Sequence, residues 1–440
     1  MMSRLAEAIR FPTVSYPKDE AVDWASYRAF LQFLRQSYPK VYQQLEVELV
    51  DEYNVMLRWP GSSEHEPVLI LAHYDVVPAQ MSDGWDVDPF AGVIRDDAVW
   101  GRGAIDDKSN VILWHEVLEN LLEEGYVPER SVIVCFGRDE EIGGEHGAGL
   151  MAAKLREQGE RFHVIFDEGG AVTSGVLSGL SKPVALIGVA EKGSTNLRIC
   201  LKGGAGHSSM PPRVNLIDQM SRFLNRLQQQ PMPVRLIEPV QRMFEAIGPD
   251  MPKTGWLIRR IDRLFPVLSK ILEKSATTNA LIRTTITPTM ISGGSAPNVL
   301  PGQACVTLNL RILPGDTVAE TMKHIERLLE GMDYQMETLL HQEASPTTST
   351  DSAPFRQYQQ LIEKHFPEAI VSSYLMAGGT DTKHYQDMAD HIFRFSPVRM
   401  TKADLDSVHS VNEKISRDNL ETGYRFYHDV LRAFTTEEKV

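Results

Sequence analysis

At 440 residues the chain exceeds one ordinary core, so the starting expectation is two domains, or one domain carrying a large insertion. Its 42% hydrophobic and 24% charged residues suit a globular protein, and the formal charge of -14 argues against a nucleic-acid partner, which calls for a basic surface. No apolar run reaches the length of a membrane span, MMSRLAEAIRFPTVS lacks a signal-peptide core, and Cys135, Cys200 and Cys305 are odd in number and widely spaced; together these predict a cytoplasmic protein with reduced thiols and no membrane partner.

From about Leu5 to Pro39 the pattern predicts two amphipathic helices, the second with Tyr27, Phe30, Leu31, Phe33 and Leu34 along its apolar stripe. Strands are expected around 45–50 and 54–59. Val68 to Ala72 reads as a buried strand of a parallel sheet, and His73 and Asp75, two apart just beyond it, should face the same way. Alone, such a pair fits a buried histidine satisfied by a neighbouring acid as well as a metal ligand held in its tautomer by a carboxylate. Further acids bear on the choice. Asp106 and Asp107 precede a helix expected over 108–124, where one acid can cap the helix while the other points back towards His73. A strand at 131–136 ends in adjacent Glu140 and Glu141, and a strand at 163–166 ends in Asp167 and Glu168. Adjacent carboxylates repel unless cations are near, and ligand sites in open α/β sheets lie at the carboxyl ends of strands. A solvated acidic loop explains one such pair better than it explains three successive strand ends.

From about Ala190 the order becomes β-α-β-β-α-β: STNLRICLK, a glycine turn bearing His207, a helix over 215–229, TTITPTMISGG, QACVTLNLRIL, a helix over 317–329, and YQMETLLHQ. A largely helical insert of about 231–281 interrupts this ferredoxin-like unit. SPTTSTDSAP, residues 345–354, reads as a hinge or loop. Beyond it a helix, two strands, a loop carrying His409 and a C-terminal helix return to the α/β pattern. The expected division is an α/β domain from 1–188 and 345–440, with a mostly parallel central sheet, and an inserted domain from 189–344.

In this order the motifs HYD, DEEIGG, FDEGG, GGTDTKHY, FRFSPV and VHSVNEKIS resemble the zinc aminoacylase, glutamate carboxypeptidase and succinyl-diaminopimelate desuccinylase family of metallopeptidases. The likeness is greatest to its carboxypeptidase S and N-acyl-amino-acid hydrolase branch. That resemblance implies a zinc-peptidase-like catalytic domain with an inserted lid and dimerisation domain. It also implies two zinc ions per chain, for which cobalt or manganese can substitute. His73 would bind one ion, Asp106 bridge both, and Asp75 orient His73; Glu141 and His409 would be the remaining ligands of the second ion, and Glu168, or the adjacent Asp167, the last ligand of the first.

Imidazole and carboxylate suit zinc, and two ions about 3.5 Å apart can hold a water that loses its proton near neutral pH. The resemblance makes Glu140 the base that takes the proton and delivers it to a leaving amine. His207, in GGAGHSS, would stabilise the transition state from the partner subunit of a homodimer, while Asn298, Arg311, Gly379 and Asp381 would hold substrate. His146 and His384 are expected to be structural. The implied reaction is hydrolysis of a short peptide or an N-acyl amino acid, releasing a C-terminal amino acid. A dipeptidase recognising a free α-amine is one alternative. A non-catalytic, metal-stabilised binding protein is another, although it has no use for a base at Glu140.

Overall fold

The computed structural model describes residues 1–18, 21–175, 179–251 and 255–436. At its centre is an eight-stranded mixed sheet in the order Glu46–Val50, Asn54–Trp59, Val132–Gly137, Val68–His73, Val164–Ser174, Ile392–Thr401, Val184–Glu191 and Ile370–Met376. From Val132–Gly137 to Ile392–Thr401 the neighbours run parallel, so their carboxyl ends meet at one edge. Every residue of Val68–His73 and Val132–Gly137 is buried, as strands covered on both faces require. Alternate side chains divide between two cores. Val68, Ile70, Val134 and Phe136 join Trp114 and Tyr427 from helices Lys108–Glu123 and Arg417–Thr435, whereas Leu69, Leu71, Ile133 and Ile165 join Met151 and Leu155 from Ala148–Glu157.

The inserted layer is a four-stranded antiparallel sheet in the order Thr285–Gly293, Gln303–Ile312, Gly193–Lys202 and Tyr334–Gln342. Helices Leu216–Gln229 and Val318–Leu328 start at capping boxes on Asn215 and Thr317 and pack on alternate strand residues such as Leu197, Ile199, Val306 and Leu308. This is the expected β-α-β-β-α-β unit. The segment expected to be helical contains Glu238–Ile247, Gly255–Ile258, Ile261–Leu272 and Ala276–Ile282, while its residues 252–254 lie outside the described residues.

Three expectations change. The strand expected to end at Phe166 runs on to Ser174, because Ile392–Thr401 pairs with it on both sides of its irregularities. The segment expected to be a hinge or loop at 345–354 is a loop up to the helix that begins at Ala353, and it is pinned rather than free to hinge. The Ser345 and Thr348 amides donate to the carbonyls of Glu191 and Val189, and the Glu191 amide donates to Ser345 Oγ at 2.8 Å. Finally, Cys200 and Cys305 form a disulfide, with only Cys135 free and buried. The paired cysteines are 105 residues apart but directly opposite on neighbouring antiparallel strands, which their spacing along the chain conceals. The bond removes the support that reduced thiols lent to a cytoplasmic location. Among the described residues, no helix is long and apolar enough to cross a membrane.

Candidate metal centre

The parallel register brings the acidic residues to His73. This residue closes its strand opposite Gly137, the last residue of the neighbouring strand, and the turn beyond Gly137 carries Glu140 and Glu141. Glu168 arrives from the strand on the other side. His73 Nε2 lies 3.0 Å from Asp106 Oδ1, 3.3 Å from Glu168 Oε1 and 4.0 Å from Glu140 Oε2. His409 Nε2 lies 2.9 Å from Asp106 Oδ2 and 3.0 Å from Glu141 Oε2. The two oxygens of Asp106 thus face different imidazoles. Two groups that could each hold a metal ion result, His73 with Asp106 and Glu168, and Asp106 with Glu141 and His409.

Asp75 is fully buried and serves two neighbours. Its carboxylate accepts the amides of Glu140 and Glu141 at 3.1 and 3.2 Å, and Oδ1 lies 3.3 Å from His73 Nδ1. It therefore sets the imidazole and the acidic turn together. Glu168 and Asp167 point to opposite faces of their strand, as successive residues must. Of the two, Glu168 reaches His73; Asp167 Oδ1 accepts the Glu168 amide, and Oδ2 is buried without a hydrogen-bond partner among the described residues. Asp107 occupies the N-cap position, but its side chain does not cap the helix. It accepts the His73 amide at 3.2 Å and also bonds Asn110, whose Oδ1 accepts the Tyr427 hydroxyl. The Asp106–Asp107 peptide bond is cis.

Sequence reasoning missed Glu413, four residues beyond His409 in VHSVNEKIS. Fully buried, its carboxylate accepts the amides of Gly103, Ile105 and Asp106 and pairs with Arg102 at 2.7 Å. It holds the loop that presents Asp106. An acid in a motif next to a ligand was the available signal, but its partners lie about three hundred residues earlier in the chain.

Four carboxylates, from Asp106, Glu140, Glu141 and Glu168, share this space with two imidazoles. Burial, and then the charge of Asp106, push Glu168 up to about 8, and burial raises Glu140 well above the usual range. Hydrogen bonds to Asp106 and Glu141 push His409 up to about 10. Burial opposes the charged form of His73, yet Glu168, then Asp106 and Asp75, raise its pKa. Burial also works to raise Asp106, but hydrogen bonds from His409 and His73 hold it low. The cluster is short of positive charge, and Glu141 Oε1 is buried without a hydrogen-bond partner among the described residues. Nitrogen and oxygen donors in this mixture fit divalent zinc-like ions.

The other predicted residues lie apart. Asp381 is buried, its carboxylate so close to Gly137 and Gly144 that neither glycine has room for a Cβ, and so it backs the acidic turn rather than open space. Gly379 is exposed. His384 bonds the Gly143 carbonyl at 3.0 Å and the His146 amide donates to Asp139, structural contacts in both cases. His207, Asn298 and Arg311 belong to the inserted layer and to neither ligand group. His207 pairs with Val299, and the Asn298 carbonyl accepts the Ser208 amide, so these two predicted residues do come together. Arg311 is half-buried and donates through Nε to Asn309, with no carboxylate partner among the described residues. Beside Asp106 and Glu168 opens a cavity of about 380 Å³, walled by Ala171, Leu186, Tyr374, Met400, Leu405 and Val408.

Two donor groups sharing one carboxylate, gathered at the carboxyl edge of a parallel sheet and adjoining a cavity, define a metal-dependent hydrolase. The chain belongs to peptidase family M20/M25/M40, which it matches over residues 69–433. It is 35% identical to the N-fatty-acyl-amino acid synthase/hydrolase PM20D1 of Xenopus tropicalis, over 99% of this chain and 86% of that protein. It is 33% identical to the probable carboxypeptidase S-like 2 of Dictyostelium discoideum, over 98% and 84% respectively. Among solved structures, the M20 metallo-carboxypeptidase Sso-CP2 of Sulfolobus solfataricus shares the fold with a TM-score of 0.72 at 16% identity, over 98% of each chain. The protein is accordingly an enzyme of the metallopeptidase and amide-hydrolase type, as its motifs imply.

Proposed function

We propose that this enzyme hydrolyses N-acyl amino acids bearing an apolar acyl chain, with two zinc ions, as a homodimer. The cavity beside Asp106 and Glu168 carries the substrate assignment. Its apolar walls suit an acyl chain, and apart from those two metal-facing acids it offers no carboxylate to a dipeptide's ammonium group. The relatives named for N-fatty-acyl amino acids support the same choice.

His73, Asp106 and Glu168 would hold one ion, and Asp106, Glu141 and His409 the other. Bound there, the ions would polarise the amide carbonyl and make a water acidic enough to lose a proton near neutral pH. Asp75 holds His73 through Nδ1 and leaves Nε2 for its ligand role. Glu140, next to a ligand but outside both groups, takes the proton from the attacking water and returns it to the leaving amine. Arg311, which has no carboxylate partner among the described residues, receives the carboxylate of the amino-acid half. Asn298 and Gly379 border the substrate, while Asp381 steadies the turn that carries Glu140.

His207 would donate to the oxyanion in the neighbouring subunit. Two observations support a dimer: residues 203–212 are exposed throughout, and the outer strand Thr285–Gly293 presents Met290 at 68% and Ile291 at 66% exposure along an unpaired edge. The test is turnover on a series of N-acyl amino acids of increasing chain length beside free dipeptides. Rates that rise with acyl length, and fall when Leu405→Arg charges the cavity wall, support the reading; faster cleavage of free dipeptides overturns it.

A further inference from the structure

The helices of the insert are explained by neither the metals nor the dimer edge. Their inner side is accounted for. Val240, Met243, Phe244, Ile261, Leu268 and Ile282 form one cluster with Leu375 of the central sheet. A surface helix should then turn polar residues to water. Here Trp256 is 69% exposed, Val267 66% and Ile271 59%. Val267 and Ile271 are four apart on helix Ile261–Leu272 and share a face, and by the same spacing Arg263, Lys270 and Lys274 border it.

Charge points the same way. From Gly255 to Ser275 the chain has five basic residues and two acidic ones, although it carries -14 overall. Arg259, Arg260, Lys270 and Lys274, all exposed, have no acidic partner among the described residues, whereas Arg283, a little further on, is paired with Glu273 at 2.6 Å. Exposed tryptophan and aliphatic side chains interspersed along 256–274 with exposed, unpaired cations match a surface that is apolar below and anionic above. That is the chemistry of a helix lying in a lipid interface.

We propose that the insert docks on an anionic lipid surface, with Trp256, Val267 and Ile271 entering the headgroup boundary and Arg259, Arg260, Lys270 and Lys274 meeting lipid phosphates. The acidic total and the lack of a membrane span, which pointed away from membranes, conceal this local reversal. Docking also has a route to the site. Leu186 and Tyr374 pack against the insert's inner cluster and wall the cavity beside Asp106. An apolar substrate dissolved in lipid would thus meet the enzyme near its cavity, but docking itself requires no particular reaction.

The experiment is co-sedimentation of the full chain with vesicles of phosphatidylcholine alone or mixed with phosphatidylglycerol, at low and high salt. The expected result is binding to the anionic vesicles that weakens with salt and falls about tenfold or more in K270E/K274E. W256S/V267S/I271S should lose binding similarly while keeping turnover on a short-chain, water-soluble substrate. If the triple variant fails to fold by circular dichroism, the charge-reversal pair alone decides. No binding by the native chain, or equal binding by K270E/K274E, overturns the proposal. So does a change in oligomeric state of either variant with vesicle binding intact, since the face would then belong to a second copy. Because the readout is binding, failure here leaves the reaction assignment standing, and failure of that assignment leaves docking standing.

Discussion

Two regions of this molecule carry side chains assigned to one reaction, and they are supported in opposite ways. Around His73 the supports are fastened: Asp75 is set by the amides of Glu140 and Glu141, the Asp106 loop by Glu413, and Asp107 by Asn110. Around His207 the chain is exposed, and the ring's side-chain partner is Ser209, two residues away. An electrostatic site works when its dipoles are fixed before substrate arrives. The sheet edge is therefore finished within one chain, whereas under the proposed homodimer the His207 turn would be completed by a neighbour. Metal binding and full catalysis should be separable by mutation for that reason.

The largest expected effect lies in the fastened region. Glu140→Gln should retain both metals yet lose about two to four orders of magnitude in turnover, measured by metal analysis and steady-state rates. Near-normal turnover would move the proton transfer to another group. Glu413→Ala tests the fastening itself. It leaves Arg102 buried without its partner and strips the Asp106 loop of its acceptor, so a loss of roughly 3–5 kcal/mol in denaturant unfolding, with weaker metal retention, is expected. Unchanged stability and occupancy would show that the loop holds its shape without Glu413.

His207→Ala probes the unfastened region. Stability and metal content should stay normal while turnover falls about a hundred- to a thousandfold. Mixing this variant with Glu140→Gln should restore part of the activity, because one site of a mixed dimer then holds both its own Glu140 and the partner's His207. Verified subunit exchange without recovery would rule out action across the dimer.

The smallest effect concerns acid. His115 Nδ1 faces the Val111 carbonyl at 2.7 Å and so carries the proton, while Nε2 accepts from Tyr42. Burial lowers its pKa to about 4. The unfolded chain then binds a proton that the folded one refuses. This contribution to stability is complete above about pH 6.5 and is lost as pH falls towards 4, to at most about 3 kcal/mol. Stability should therefore decline on acidification below about pH 6.5, and His115→Phe should flatten the decline. A pH profile of unfolding identical in that variant would assign the acid sensitivity elsewhere.

Much of this was legible before any coordinates. The alternation of strands and helices and the split sheet of the inserted layer follow from apolar period, a local property of the chain, whereas the gathering of His73, Asp106, Glu140, Glu141 and His409 was implied by the family resemblance of their motifs. What only the tertiary structure decided depends on direction and on distant partners. Strand alternation turned Glu168 towards His73 and Asp167 away from it, a choice that two adjacent acids leave open in a sequence. Glu413 acquired its role from amides about three hundred residues earlier, and Cys200 found Cys305 across a ladder. The outward face of the insert became visible only when its inner face was buried, because a helix apolar on two sides reveals its free side only once packing has used the other.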